Sequence, residues 1–212
     1  PDIRKSLIAK SDLAGVKHLC VHIGWILVFG TYVGSQAPFW GLAIVPLGIC
    51  IMFLFTLLHE TVHFTPFENP RLNSVVGHIV SVIILVPNTY FRYFHLAHHK
   101  YTNDPQNDPE LASSKPQDRL EYAKHISGLW HWKGEIAQLF RHASGTVAAS
   151  FLPKRAERVC IWQARGMLAI YSILLCLMVS GWWWIFWCWI VPLILGQPFL
   201  RLYLLAEHGL CP

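Results

Sequence analysis

The chain alternates between long apolar runs and short polar breaks, and several runs have the length of membrane helices. After a polar, basic opening at residues 1–17, a first span is predicted over 18–35, "HLCVHIGWILVFGTYVGS". A second covers 37–58, "APFWGLAIVPLGICIMFLFTLL", and leads straight into "HETVH" at 59–63. At about 1.5 Å per residue it suffices for a hydrocarbon core of about 30 Å. Residues 74–91 are apolar again, but this segment is short and interrupted by Pro87. A polar region follows at 92–165. The pattern then closes on a helical hairpin with spans over 166–182 and 185–206. Trp182, Trp183, Trp184, Trp187 and Trp189 cluster near its turn, and indole rings favour the headgroup level of a bilayer. "GTYVG" at 30–34 fits a small-residue packing motif, a weak signal when alone.

Composition agrees with the pattern. Of 212 residues, 54% are hydrophobic and only 14% charged, against about 25% in an ordinary soluble domain. The mean hydropathy is +0.39. The expected fold class is therefore an all-α, multi-pass transmembrane bundle. It has about four spans, an interfacial segment and a cytosolic helical cap, forming a single membrane-embedded domain over 1–212. The net charge of +5 does not point to nucleic acid, because the basic residues accompany no nucleic-acid motif. Six scattered cysteines contain no CxxC pair and read as free thiols.

Charge also orients the chain. Residues 92–165 hold 11 of the 17 Lys and Arg, and such residues stay on the cytoplasmic side. The N-terminal tail and this region are then both inside, and two spans return "HETVH" to the same side. If residues 74–91 crossed once, "HLAHH" at 95–99 would emerge on the wrong side. This segment is therefore expected to lie along the interface or to dip in and return.

Histidines gather where these segments meet. His59 and His63 are four apart, and His95, His98 and His99 span one helical turn, so each group aims into one sector of a helix. Imidazoles clustered beside lipid need water, one another or a metal. The candidate metal ligands and catalytic residues are His59, His63, His95, His98, His99 and His208. "HETVH" also matches the HExxH signature of zinc proteases, with Glu60 as general base. A third ligand at the metzincin spacing would fall on Asn69, and no glutamate lies between Glu68 and Glu110. More than four histidines exceed one four-coordinate zinc and suit two six-coordinate irons better.

"HETVH", then "HLAHHKYTNDPQNDPE", then a hydrophobic hairpin ending in "AEHG", resembles the membrane fatty acid desaturase and hydroxylase superfamily over about residues 40–210. The resemblance implies cytosolic histidine boxes around a non-haem diiron centre, two Fe ions with O2 as cosubstrate, oxidising an unactivated C–H bond of a lipid. By resemblance, His59 and His63 form the first box, His95, His98 and His99 the second, and His208 the isolated ligand after the last span. The family carries a third HxxHH box further downstream, so the chain is expected to be a fragment ending before it, inactive alone. The implied reaction is desaturation of a lipid acyl chain. The alternatives are a lipid or carotenoid hydroxylase or ketolase, a zinc metalloprotease and a non-catalytic membrane protein. No haem-attachment motif, GxGxxG or iron–sulfur cysteine set is present, so an external ferredoxin or cytochrome b5-type electron donor is implied.

Other polar residues carry two readings. Gln197, Arg201 and His208 share nearly one helical face. Arg201 either pairs with a carboxylate below the metal site or, as preferred, snorkels to the interface. Asp104, Asp108 and Glu110 either orient ligand imidazoles or, as preferred, form a solvated turn. Glu60 divides evenly between those two kinds of role. His78 reads as packed, His18 and His22 as interfacial, and His125, His131 and His142 as solvated.

Overall fold

A computed structural model describes residues 9–112 and 116–208, with the side chain of His208 outside the described set. All regular structure among them is helical. The long elements are α1 (Asp12–Gly34), α2 (Trp40–Met52), α3 (Leu54–His63), α4 (Pro70–Ile83) and α5 (Asn88–Tyr101). A 3-10 turn, Pro109–Ala112, precedes α6 (Arg119–Ser127), α7 (Leu129–Ala143) and α8 (Lys154–Val179). A π-helical turn at Phe186–Ile190 leads into α9 (Val191–His208).

Among the described residues, four helices are long and apolar enough to cross a membrane: α1, the continuous α2–α3 unit Trp40–His63, α8, and Phe186–Glu207. Their outer faces carry unpaired apolar side chains such as Leu27, Leu42, Ile173 and Val179, while Gln197, Ser81 and Asn73 are buried within. That inversion is what a bilayer demands, since lipid rewards no polar exterior and punishes any unsatisfied polar group. The chain therefore forms a helical membrane bundle. Trp182, Trp183 and Trp184 are exposed at the α8–α9 turn, as an interfacial belt requires.

The bundle centres on α2 and α9. Gly48 and Gly196 let the two backbones touch, because a Cβ on Gly196 would stand 2.1 Å from Gly48 O and one on Gly48 would stand 2.3 Å from Pro192 O. Small residues at a crossing permit this approach. Five cysteines, Cys20, Cys50, Cys160, Cys176 and Cys188, are free thiols; Cys211 lies outside the described residues.

The apolar segment before "HLAHH" is broken. α4 and α5 meet at 104°. Leu85 adopts φ 60° and Pro87 precedes α5, so no helix can run through. The freed backbone groups are satisfied from outside. Tyr171 Oη donates to Val82 O at 2.8 Å, Trp189 Nε1 donates to Ile83 O at 2.8 Å, and Thr89 N donates to Gln163 Oε1 at 3.0 Å. A broken segment at membrane depth is tolerated when neighbouring helices supply such partners. The bend turns α5 back toward the end of α3. The polar region folds as α6, α7 and the start of α8, capping this end of the bundle.

Candidate metal centre

α3 ends where Phe64 takes φ 56° and its N–H returns to Thr61 O at 3.1 Å, leaving His63 in the last turn. Arg92 of α5 locks the two helices together. It donates to Val62 O at 2.9 Å and lies 4.5 Å above the Phe64 ring. This docking brings the two histidine boxes face to face. Ligand-capable nitrogens of His59, His63, His95 and His99 all lie within 4.8 Å of one another. His95 is buried at the centre, its Nε2 2.8 Å from both His63 Nε2 and His99 Nε2.

These distances discriminate between hydrogen bonding and metal ligation. One ring nitrogen offers either one proton or one in-plane lone pair, so His95 Nε2 cannot make two good hydrogen bonds to converging imidazoles. Lone pairs gathered on a shared cation resolve the conflict, and a set of four imidazoles suits a transition metal. The donor set therefore fits the implied metal. His59 Nδ1 faces Glu60 Oε1 at 3.1 Å, and Glu60 also accepts from the Thr65 hydroxyl, so Glu60 orients a candidate ligand.

His98 stands beside this group. Its Nδ1 donates to Asp108 at 3.0 and 3.1 Å, and Glu110 Oε2 lies 3.2 Å away. Asp108 is buried and also accepts from Asn103 N and Glu110 N. Burial works to raise its pKa, but the hydrogen bond from His98 and the two backbone N–H groups outweigh this and hold the carboxyl below its ordinary value. The preference for a solvated turn is thus corrected at Asp108, which fixes the tautomer and orientation of His98 as outer acceptors of metal-binding imidazoles do. Asp104 does build the turn, accepting from Gln106 N and Asn107 Nδ2. His208 ends α9, its side chain outside the described residues.

A cavity of about 610 Å³ opens between the spans and the cap. His59, Glu60 and His95 line one part of it, Phe55, Ile84 and Phe91 an apolar wall, and Arg201, Glu135, His131 and His125 another wall. Arg201 thus faces inward, not out to the headgroups, which corrects the snorkelling reading. His131 and His142 are corrected too. His131 is mostly enclosed beside Glu135, and His142 is 4% exposed and packed on Tyr90 at 4.8 Å between ring centroids. His78 is anchored to Ser74 O at 2.7 Å, and His22 to Cys50 O at 2.7 Å.

A profile of the fatty acid desaturase family matches residues 18–210, nearly the whole chain. The chain belongs to this family. The zinc-protease reading of "HETVH" falls away with that membership. The acyl-lipid omega-3 desaturase (cytochrome b5) of the endoplasmic reticulum of Arabidopsis thaliana is 31% identical over 109 residues, 50% of this chain and 28% of the relative. The chloroplastic omega-3 fatty acid desaturase of Brassica napus is 39% identical over 69 residues, 32% of this chain and 17% of the relative. The chloroplastic sn-2 acyl-lipid omega-3 desaturase (ferredoxin) of Helianthus annuus is 38% identical over 95 residues, 44% and 19% respectively. The matched stretch thus spans less than a third of each of these desaturases.

Proposed function

We propose that the protein containing this chain is a membrane-bound desaturase that uses O2, two electrons and two protons to remove two hydrogens from a lipid acyl chain, yielding a double bond and two waters. The observation that carries this reading is the meeting of both histidine boxes at the mouth of an apolar-walled cavity under the cap. His59, His63, His95 and His99, with His98 and His208, would hold a pair of iron ions as one membrane-embedded domain. Bound iron would supply the oxidising power toward an unactivated C–H bond. The chain's own residues do the rest. Glu60 and Asp108 orient imidazoles, Arg92 keeps α3 and α5 in register, and Phe55, Ile84 and Phe91 exclude water from the acyl chain. The boxes share one side of the membrane because His63 and His95 touch. The basic bias of 92–165 makes that side the cytosol. Electrons come from a ferredoxin or cytochrome b5-type donor, in keeping with the relatives named for each.

The test is expression of the full-length protein in a host lacking the corresponding double bonds, with iron quantified in the purified protein and lipids analysed by gas chromatography. New double bonds and about two irons per chain are expected, and both should disappear in His95→Ala. An iron-loaded protein yielding only hydroxylated lipids would replace desaturase by hydroxylase, and iron-free protein would end the reading.

A further inference from the structure

The polar wall of the cavity has no role in the desaturation chemistry above. Arg201 donates through Nε and Nη2 to the Gln197 oxygen at 2.9 and 3.3 Å, with the Gln197 amide turned to face it. Gln197 is itself immobilised. It is fully buried, and Gly128, at φ 69° between α6 and α7, packs so tightly on it that a Cβ there would stand 2.3 Å from Gln197 Cγ. A guanidinium has five N–H donors, so most of this one remains for the cavity. Among the described residues no carboxylate lies within 4.0 Å of it. On the same wall stand Glu135, with His131 Nδ1 3.8 Å from its Oε1, and His125; Glu110 also lines the cavity. A donor-only cation and an acceptor carboxyl thus line the same cavity without pairing directly. An alkyl chain satisfies neither.

We propose that this cavity takes a lipid bearing a hydroxyl group, and that Arg201 and Glu135 bind that hydroxyl in the cavity that His59 and His95 also line. A hydroxyl accepts from Arg201 and donates to Glu135 at once. An anionic group is disfavoured when Glu135 is ionised, because the wall then already balances its charge. Burial pushes Glu135 up to about 7, with Arg201 pulling the other way, so that balance holds in mildly alkaline buffer. The proposal rests on the lipid-oxidising reading of the site, narrowing its substrate class.

The test is competition against radiolabelled octadecan-1-ol on the full-length protein in detergent at pH 8, with octadecane, octadecan-1-ol and octadecanoate as competitors. A hydrogen bond to a charged group makes octadecan-1-ol the better competitor than octadecane by about tenfold or more. Glu135→Gln and Arg201→Met should each bring that ratio toward one. Glu135→Gln is near-isosteric and covers the case in which Arg201→Met fails to fold. Equal competition by octadecane and octadecan-1-ol would mean that only water sits between the two groups, which overturns the proposal. So would a preference that survives in both folded variants, or octadecanoate outcompeting the alcohol. Iron content and lipid products from the same preparation report on the desaturase reading independently, since binding needs no turnover.

Discussion

Replacing Glu135 by glutamine isolates the cost of an enclosed carboxylate in the cap. The side chain lines the cavity, where burial raises its pKa from 4.5 to about 7 against the opposing pull of Arg201. Below pH 4.5 the carboxyl is protonated in both folded and unfolded chains and contributes nothing. Between 4.5 and 7 the folded chain keeps the proton that the unfolded chain has released, so stability falls as pH rises through this window. Above 7 both states are ionised and the penalty is complete. A difference of about 2.5 pH units, at about 1.4 kcal/mol each, sets it at about 3 kcal/mol. His131 tilts the other way, its pKa lowered by burial, Arg201 and His125, so it favours the folded chain as pH rises toward 6.5. Because His131 Nδ1 lies 3.8 Å from Glu135 Oε1, its contribution changes with the substitution, and the same comparison in a His131→Gln background separates the two. SDS unfolding in mixed micelles, from pH 4.5 to 8, reads this difference directly. The variant should gain about 3 kcal/mol on the wild type across the range. Parallel profiles would refute the assignment of Glu135 to an enclosed, poorly solvated position.

Asp108→Asn should lower metal affinity by about 10- to 100-fold, because one neutral amide oxygen replaces the carboxylate that accepts from His98, Asn103 N and Glu110 N; iron titration with a competing chelator checks this. Gly196→Ala should cost about 1–3 kcal/mol, since the new methyl meets the Gly48 carbonyl at 2.1 Å and backbone cannot yield. Gly24→Ala, with nothing within 4 Å, should instead stabilise α1 by up to about 1 kcal/mol; the two substitutions should shift the unfolding midpoint in opposite directions. Trp189→Phe should loosen the α4–α5 bend by leaving Ile83 O without its donor, a cost of about 1–3 kcal/mol, seen as faster amide exchange at residues 84–89.

Hydropathy alone was enough to call a helical membrane bundle, because lipid forces apolar runs of spanning length to be helices and leaves little else to choose. The pairing of histidines within each box was equally legible, since i, i+3 and i+4 spacing fixes a shared helical face before any packing occurs. Parity and charge also indicated that 74–91 should not cross once; the 104° bend there fits a re-entrant loop and a broken span alike. What the linear pattern could not carry was which polar groups meet across elements. Asp108 looked like one more turn residue until folding placed it on His98, ten positions away. Arg201 looked like a snorkelling cation until α6 and α7 closed over α9. His131 and Glu135 sit in a polar stretch whose sequence predicts solvation, yet the cap folds them inward. Helical periodicity is a local property set by backbone geometry, whereas the enclosure of a charge depends on where distant segments come to rest, and only the tertiary structure decides that.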